Sequence, residues 1–136
     1  MIKIEIHILD GCLDIEIKNN NEHYSLIVII SKSETYKEKG RAWSDIIDNK
    51  EKISEIVNLI KESHENPSIP TAFTINDGRS VTVSLKEDAK DLNLNLVHCY
   101  AEEHNEYQLV NNILHLINET IQDKILDGYT LLFNEF

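Results

Sequence analysis

The same order of hydrophobic patterns occurs twice along this chain. Residues 1–66 have the pattern of a strand hairpin, a third strand and a helix, and residues 67–128 repeat that order. Each hairpin contains an Asp-Gly pair, which favours a tight turn because both residues tolerate positive φ. These pairs are Asp10-Gly11 and Asp77-Gly78. The doubled order predicts an α+β fold of two successive β-β-β-α units, forming a mainly antiparallel sheet with two helices on one face.

The length of the chain fits one folding unit. At 136 residues it has the usual size of a single domain. We therefore predict one domain over residues 1–136, with pattern-level halves 1–66 and 67–128 and a C-terminal tail 129–136. The tail contains aromatic residues, and it is predicted to be either a seventh strand or a segment that docks on a partner.

The first hairpin alternates apolar and polar residues, which predicts one buried and one solvent-facing side. A two-residue turn at Asp10-Gly11 sets Ile8 opposite Leu13 on the buried side. On the solvent-facing side the same register sets Glu5 opposite Glu16. Like charges directly opposite one another cost roughly 0.2–1 kcal/mol. Stability therefore does not explain this acidic group, whereas binding of a basic ligand would relieve the repulsion.

Further strands are predicted from composition and turn residues. Residues 24–30 are apolar on both faces, which is typical of a strand in the middle of a covered sheet. Residues 71–75 and 79–85 are predicted to form the second hairpin, and residues 92–100 the strand after it. Trp43, the only tryptophan, is either a core anchor or a hot spot for a partner.

Two helices are predicted from apolar residues at helical spacing. The first begins near Asp48, where Glu51 three residues later resembles a capping box, and residues 46–47 are candidates for an extra first turn. The second begins near Asn105 and ends at a cap formed by Asp127-Gly128.

The charge balance is strongly acidic. The chain has 24 acidic and 13 basic residues, a formal charge of −11. Such a surface repels nucleic acid and anionic membranes and steers the protein toward a basic protein partner. The alternative is that the charge serves only solubility.

The sequence also predicts a cytoplasmic location. The longest apolar stretch, 26–30, is far short of a membrane span, and the N-terminus lacks the pattern of a signal peptide. Cys12 and Cys99 have no metal-type spacing, and a reducing compartment would keep them as thiols, with a disulfide between them as the alternative.

Catalytic motifs are absent from the sequence. It has no phosphate-binding glycine loop, no nucleophile elbow and no helical zinc motif, so we predict no enzyme activity, no metal and no cofactor. His7 is the best acid–base candidate, because Asp14 opposite it would raise the pKa of the imidazole. The alternative for this pair is an ordinary polar contact across a sheet.

Acidic residues are the candidate binding residues. One group lies on the first hairpin, and the other lies at the start of the second helix, where the helix dipole stabilises it. Together they are Glu5, Asp10, Asp14, Glu16, Glu102, Glu103 and Glu106.

In size, acidity and lack of catalytic residues the chain resembles the immunity proteins that bacteria make against nuclease toxins. This resemblance is one of general character and transfers no residues. It implies a non-catalytic module or inhibitor whose acidic side chains cap a basic partner. The alternatives are a structural or oligomerising subunit, such as a homodimer formed through the aromatic tail, and a small enzyme with a pocket near His7 and Asp14.

Overall fold

The computed structural model describes residues 1–8, 11–31, 41–68, 80–87, 90–97 and 102–133, and within these it has six strands and three helices. The strands are β1 (Ile2–Ile8), β2 (Gly11–Asn19), β3 (Tyr24–Ser31), β4 (Arg41–Ile47), β5 (Ser80–Glu87) and β6 (Lys90–Val97). The helices are α1 (Lys50–Glu65), α2 (Asn105–Thr120) and α3 (Lys124–Phe133).

All six strands form one antiparallel sheet in the order β4-β3-β2-β1-β5-β6. The first four strands are neighbours in chain order, and β5 then pairs with the free edge of β1. The prediction of an α+β fold with helices packed on a mainly antiparallel sheet is confirmed. The first helix, however, follows four strands, because residues 41–47 form β4. The predicted strand 71–75 lies outside the described residues.

The core lies between one face of the sheet and the helices. Alternate residues of β1, β2, β3 and β5 are buried, as are Ile53, Ile56 and Ile60 of α1 and Leu109 and Ile113 of α2. Burying an aliphatic side chain of this size contributes roughly 1.5–3 kcal/mol. On the other face of the sheet, no described strand side chain is buried. The helices therefore cover one face, as the pattern predicts.

The register of the first hairpin differs from the prediction by two residues. Ile8 pairs with Gly11, and Ile6 rather than Ile8 pairs with Leu13. A slip of two residues leaves every side chain on the same face, so both registers bury the same apolar residues. The observed register brings Lys3 opposite Glu16, an attractive pair, and Glu5 opposite Asp14, so that one pair of carboxylates still faces across the ladder.

The start of α1 is shifted from the prediction. Residues 46–47 end β4 rather than beginning the helix. The cap is Asn49, whose side-chain oxygen accepts a hydrogen bond from the Lys52 backbone N–H at 3.1 Å. Asn49 is a strong N-cap residue that satisfies an otherwise unpaired helix N–H, and it places the helix start one residue after the predicted Asp48.

The second predicted helix is two helices. α2 ends at Thr120, and Asp127-Gly128, the predicted cap, lies inside α3. Asp123 starts α3 by accepting hydrogen bonds from the backbone N–H groups of Ile125 and Leu126 at 2.9 and 3.2 Å. Residues 129–133 of the predicted tail belong to this helix, and residues 134–136 lie outside the described part of the chain. No helix of the described ranges combines the length and apolar character that crossing a bilayer requires.

Trp43 anchors α3 to the edge of the sheet. Its side chain is partly buried against the core, and the indole N–H donates a hydrogen bond to Asp123. The backbone N–H of Leu126, followed by the Trp43 indole, lowers the pKa of the Asp123 carboxyl below its ordinary value. Trp43 thus packs on the helix side of the sheet, as the core-anchor interpretation expects.

Candidate protein-binding face

The uncovered side of the sheet, which we call the open face, changes character from one edge to the other. On β3 and β4 it has aliphatic side chains among serines, on β1 and β2 mainly charged ones, and on β5 and β6 small polar ones together with the charged pair Lys86 and Asp91. The aliphatic members are Ile27, Ile29 and Ile46; the charged members are Lys3, Glu5, Asp14, Glu16 and Lys18; the polar members are Ser80, Thr82, Ser84, Asn93 and Asn95.

Glu16 is at the centre of an ion-pair network on this face. Its two carboxylate oxygens each lie 3.5 Å from a lysine Nζ, one from Lys3 and one from Lys18. The side chains remain partly exposed to solvent, so each pair contributes little to stability. The network does, however, balance the charge of Glu16 locally.

Glu5 and Asp14 face each other across the β1–β2 ladder. The prediction that Glu5 faces Glu16 is therefore wrong, because Glu5 faces Asp14. A pair of facing carboxylates is nevertheless present. Their negative charge acts on Cys12, whose Sγ donates a hydrogen bond to Asp14 Oδ1 at 3.3 Å. Burial, this hydrogen bond and the two carboxylates raise the pKa of the Cys12 thiol to about 12. A thiol with so high a pKa is a poor nucleophile at neutral pH.

A shallow depression of about 240 Å³ joins the charged and aliphatic parts of the open face. Its walls include Lys3, Glu5, Asp14, Glu16, Ile27 and Ile29. Carboxylates beside exposed aliphatic side chains can bind a group that is both cationic and partly apolar.

Two isoleucines on this face are unusually exposed. Ile29 is 41% and Ile46 is 50% exposed, and Ile27, which is half-buried, lies between them in the sheet. The prediction that residues 24–30 lie in the middle of a covered sheet is wrong for the side that carries Ile29. Clustered apolar residues on a surface are typical of interaction sites.

The predicted acidic residues do not form one surface. Glu102 and Glu103 are exposed and precede α2, which belongs to the helix layer on the opposite side of the sheet from Glu5, Asp14 and Glu16. Asp10 lies outside the described residues.

Glu106, the last of the predicted binding residues, is buried, with 2% of its surface exposed. Its Oε1 accepts a hydrogen bond from the Ser68 backbone N–H at 2.9 Å. This carboxylate therefore faces the interior and belongs to no binding surface. Helical spacing explains this burial, because Glu106 lies one turn before Val110 on the apolar stripe of α2.

The acid–base pair expected of His7 and Asp14 depends on a register that the hairpin does not have. The backbone of His7 pairs with Cys12, and the His7 side chain lies outside the described residues. Among the side chains that are described, no group of three or more His, Cys, Asp or Glu residues is arranged to hold a metal ion.

A second depression, of about 300 Å³, lies between the end of α1 and the β5–β6 hairpin. Its walls carry both signs of charge, with Lys61 Nζ 3.1 Å from a carboxylate oxygen of Glu87. This balance gives the depression no preference for an ion of either sign, in contrast to the open face.

Comparisons with protein-family models, with curated proteins and with solved structures found no match to this chain.

Proposed function

We propose that this protein is a non-catalytic acidic binding module that caps a basic protein partner in the cytoplasm, in the manner of an immunity or inhibitor protein directed against a nuclease toxin. The observation that carries this proposal is the open face, where the facing carboxylates of Glu5 and Asp14 lie beside the exposed side chain of Ile29.

The charge of the whole chain supports a basic partner. A formal charge of −11 attracts a cationic protein over long range and raises its association rate. The same charge opposes binding to nucleic acid, and a nuclease surface evolved to hold phosphates is a matching partner. Capping such a surface requires no catalytic group.

The aliphatic part of the open face supports a protein partner over a small ion. Protein interfaces combine an apolar core with charged groups around it, and Ile27, Ile29 and Ile46 lie beside the acidic centre in this way. Removing these side chains from water favours association, while the carboxylates select a cationic partner.

The test is affinity capture from the native host, followed by reconstitution with the purified partner. We expect wild-type protein to retain a basic protein at low salt and to lose it at high salt, because salt screens exposed charges. The double variant Glu5→Gln/Asp14→Asn should bind the purified partner more weakly. The matched control, Glu51→Gln/Glu55→Gln on the exposed face of α1, removes the same charge and should bind as the wild type does. Equal weakening by both variants would mean that net charge, and not the open face, governs binding.

A structural or oligomerising subunit is the second candidate. Ile46 is half-exposed on β4, which is an edge strand among the described strands, and exposed apolar edges favour pairing with another chain. Light scattering coupled to size-exclusion chromatography distinguishes the two. A stable homodimer that Ile46→Lys dissociates supports this candidate, and a monomer at all concentrations contradicts it.

A further inference from the structure

The edge strand β4 has charged residues of opposite sign on one side of the strand. Arg41 and Asp45 flank Trp43 symmetrically in the sequence, and the alternation of side chains along a strand puts all three on the same face. Every residue of β4 other than Trp43 and Ile47 is exposed. On β6, the other edge among the described strands, neither face has charges of both signs.

The backbone of β4 also has hydrogen-bonding groups that point away from β3. The N–H groups of a strand point alternately to its two sides. The Ile46 N–H is bound by the Asp45 carboxylate, with 2.7 Å between the nitrogen and Oδ1, which assigns it to the outer side. The same alternation directs the N–H and C=O groups of Ala42 and Ser44 outward, and the natural partner of such groups is another strand.

One antiparallel register makes this edge complementary to itself. A two-fold axis at Trp43 sets Arg41 of each copy opposite the partner's Asp45. Ala42 then lies opposite the partner's Ser44, so the outward backbone groups of the two strands meet. Moving the axis to Ser44 sets Trp43 opposite the partner's Asp45, and moving it to Asp45 sets two like charges opposite each other, which is unfavourable.

This self-complementarity indicates a second copy of the chain as the occupant of the edge. A two-fold interface brings the same patch of both subunits together, so the patch must complement itself. Opposite charges directly across a ladder stabilise the pairing, and facing aromatic side chains do the same. Trp43 is only partly buried by its own core, and a second Trp43 across the axis would cover its remaining surface.

We propose that two copies of this chain associate by antiparallel pairing of their β4 strands about a two-fold axis at Trp43. The two six-stranded sheets then continue into each other. This inference goes beyond the function proposed above and does not depend on it. Pairing at the edge does not occupy the acidic centre of the open face, because Glu5 and Asp14 lie on β1 and β2.

The dimer is expected to be weak and reversible. The paired stretch is short, and small interfaces are typical of transient association. Each copy also has a formal charge of −11, which opposes association over long range. Salt at about 0.15 M screens charges that are more than about 8 Å apart, and it screens the facing pairs of the interface less.

The test is sedimentation velocity of the full chain over a range of concentrations at about 0.15 M salt. We expect the wild type to change from monomer to dimer as its concentration rises. Arg41→Asp sets an aspartate opposite the partner's Asp45, and Asp45→Arg sets an arginine opposite the partner's Arg41. Each variant should raise the dissociation constant of the dimer roughly tenfold to a hundredfold, because two attractive pairs become repulsive.

Mixing the two variants separates this register from other effects of the substitutions. In a mixed dimer both positions again face a residue of opposite charge, so an equimolar mixture should dimerise as the wild type does. Arg41 also lowers the pKa of the Asp123 carboxyl in its own chain, and mixing does not restore that interaction. Recovery in the mixture therefore reports the contact between copies.

The controls change the charge by the same amounts on α1. Lys50→Asp and Glu55→Arg substitute exposed residues of that helix, and both should dimerise as the wild type does. Circular dichroism verifies that all four variants are folded.

A wild type that stays monomeric at all concentrations, or single variants that dimerise as it does, would overturn the inference. Single variants that do not recover on mixing would overturn the register. A dimer that only Ile46→Lys dissociates would place the contact on the open face and not at this edge. Affinity capture with Glu5→Gln/Asp14→Asn tests the proposed function separately, so failure of the dimer leaves that proposal as it stands.

Discussion

Cys12 shows how strongly the open face modifies the chemistry of a single residue. The thiol is half-buried, donates to Asp14 and lies near Glu5. Burial disfavours the thiolate first, and the hydrogen bond and the two negative charges disfavour it further, so that the pKa rises to about 12. A cysteine beside a catalytic or redox centre has the opposite surroundings, with positive charge that lowers the pKa.

The prediction for Cys12 concerns its rate of alkylation. In a Cys99→Ser background, iodoacetamide should modify Cys12 roughly a hundredfold to a thousandfold more slowly at pH 8 than it modifies an ordinary exposed cysteine, because so little thiolate is present. Since the pKa is raised, the rate should keep increasing up to pH 10 without a plateau. Mass spectrometry measures the rate. Asp14→Asn should accelerate the reaction, and a wild-type plateau near pH 9 would contradict so high a pKa for this thiol.

At the scale of elements, single polar side chains decide where the helices begin. Asn49 caps α1 and Asp123 caps α3, each by accepting from backbone N–H groups of the first turn. α2 differs, because its N-cap residue, His104, makes no side-chain capping hydrogen bond. α2 is instead held by its buried stripe, in which Leu109, Val110 and Ile113 are at most 2% exposed.

The two candidate caps of α1 can be separated by mutation. Asn49→Ala should lower the free energy of unfolding by about 1 kcal/mol, the usual effect of losing an N-cap. Asp48→Ala should change it by less than about 0.5 kcal/mol, as expected for an exposed residue without a special role. Urea unfolding followed by circular dichroism measures both.

Asn49 also donates to Glu119 Oε1 at 3.2 Å, so Glu119→Ala is the control that removes only this second bond. It should have a smaller effect than Asn49→Ala. If Asp48→Ala lowered the free energy of unfolding as much as Asn49→Ala does, the N-cap would be Asp48, as the sequence pattern predicts.

At the scale of the whole molecule, the described elements form two layers, and none of the described helices packs on the open face of the sheet. This arrangement makes neighbouring residues of one strand very different in their contribution to stability. Val28 on β3 is fully buried by the helix layer, whereas Ile29, the next residue, is 41% exposed on the open face. The open face can therefore accept substitutions that the buried side of the same strands cannot.

A matched pair of substitutions tests this asymmetry. Val28→Thr should lower the free energy of unfolding by about 1–3 kcal/mol, because it buries a hydroxyl without a ready partner. Ile29→Thr should change it by no more than about 0.5 kcal/mol, because its surroundings are solvent. Chemical denaturation of the two variants and the wild type provides the comparison. Equal losses of unfolding free energy in the two variants would show that the open face is covered in solution. If that sample were monomeric, the cover would belong to the same chain and not to a second copy.

Much of this structure follows from the local pattern of residues. Alternation in residues 2–8 and 13–18 predicts two strands and the face that each residue occupies, because successive side chains of a strand point to opposite sides. The apolar stripe of α2 predicts its buried side in the same way. The acidity of the open face follows from the same alternation, which puts Glu5, Asp14 and Glu16 on the polar side.

Only the tertiary structure decided which residues meet. A register slip of two residues preserves every face, so the pattern could not distinguish Glu5 opposite Glu16 from Glu5 opposite Asp14; the ion pair of Lys3 with Glu16 favours the second. The pattern of β4 is weak because few side chains of this edge strand are buried. The exposure of Ile29 depends on which side of β3 the helices cover, and the burial of Glu106 depends on the approach of Ser68. These are contacts between distant parts of the chain, and local periodicity contains no information about them.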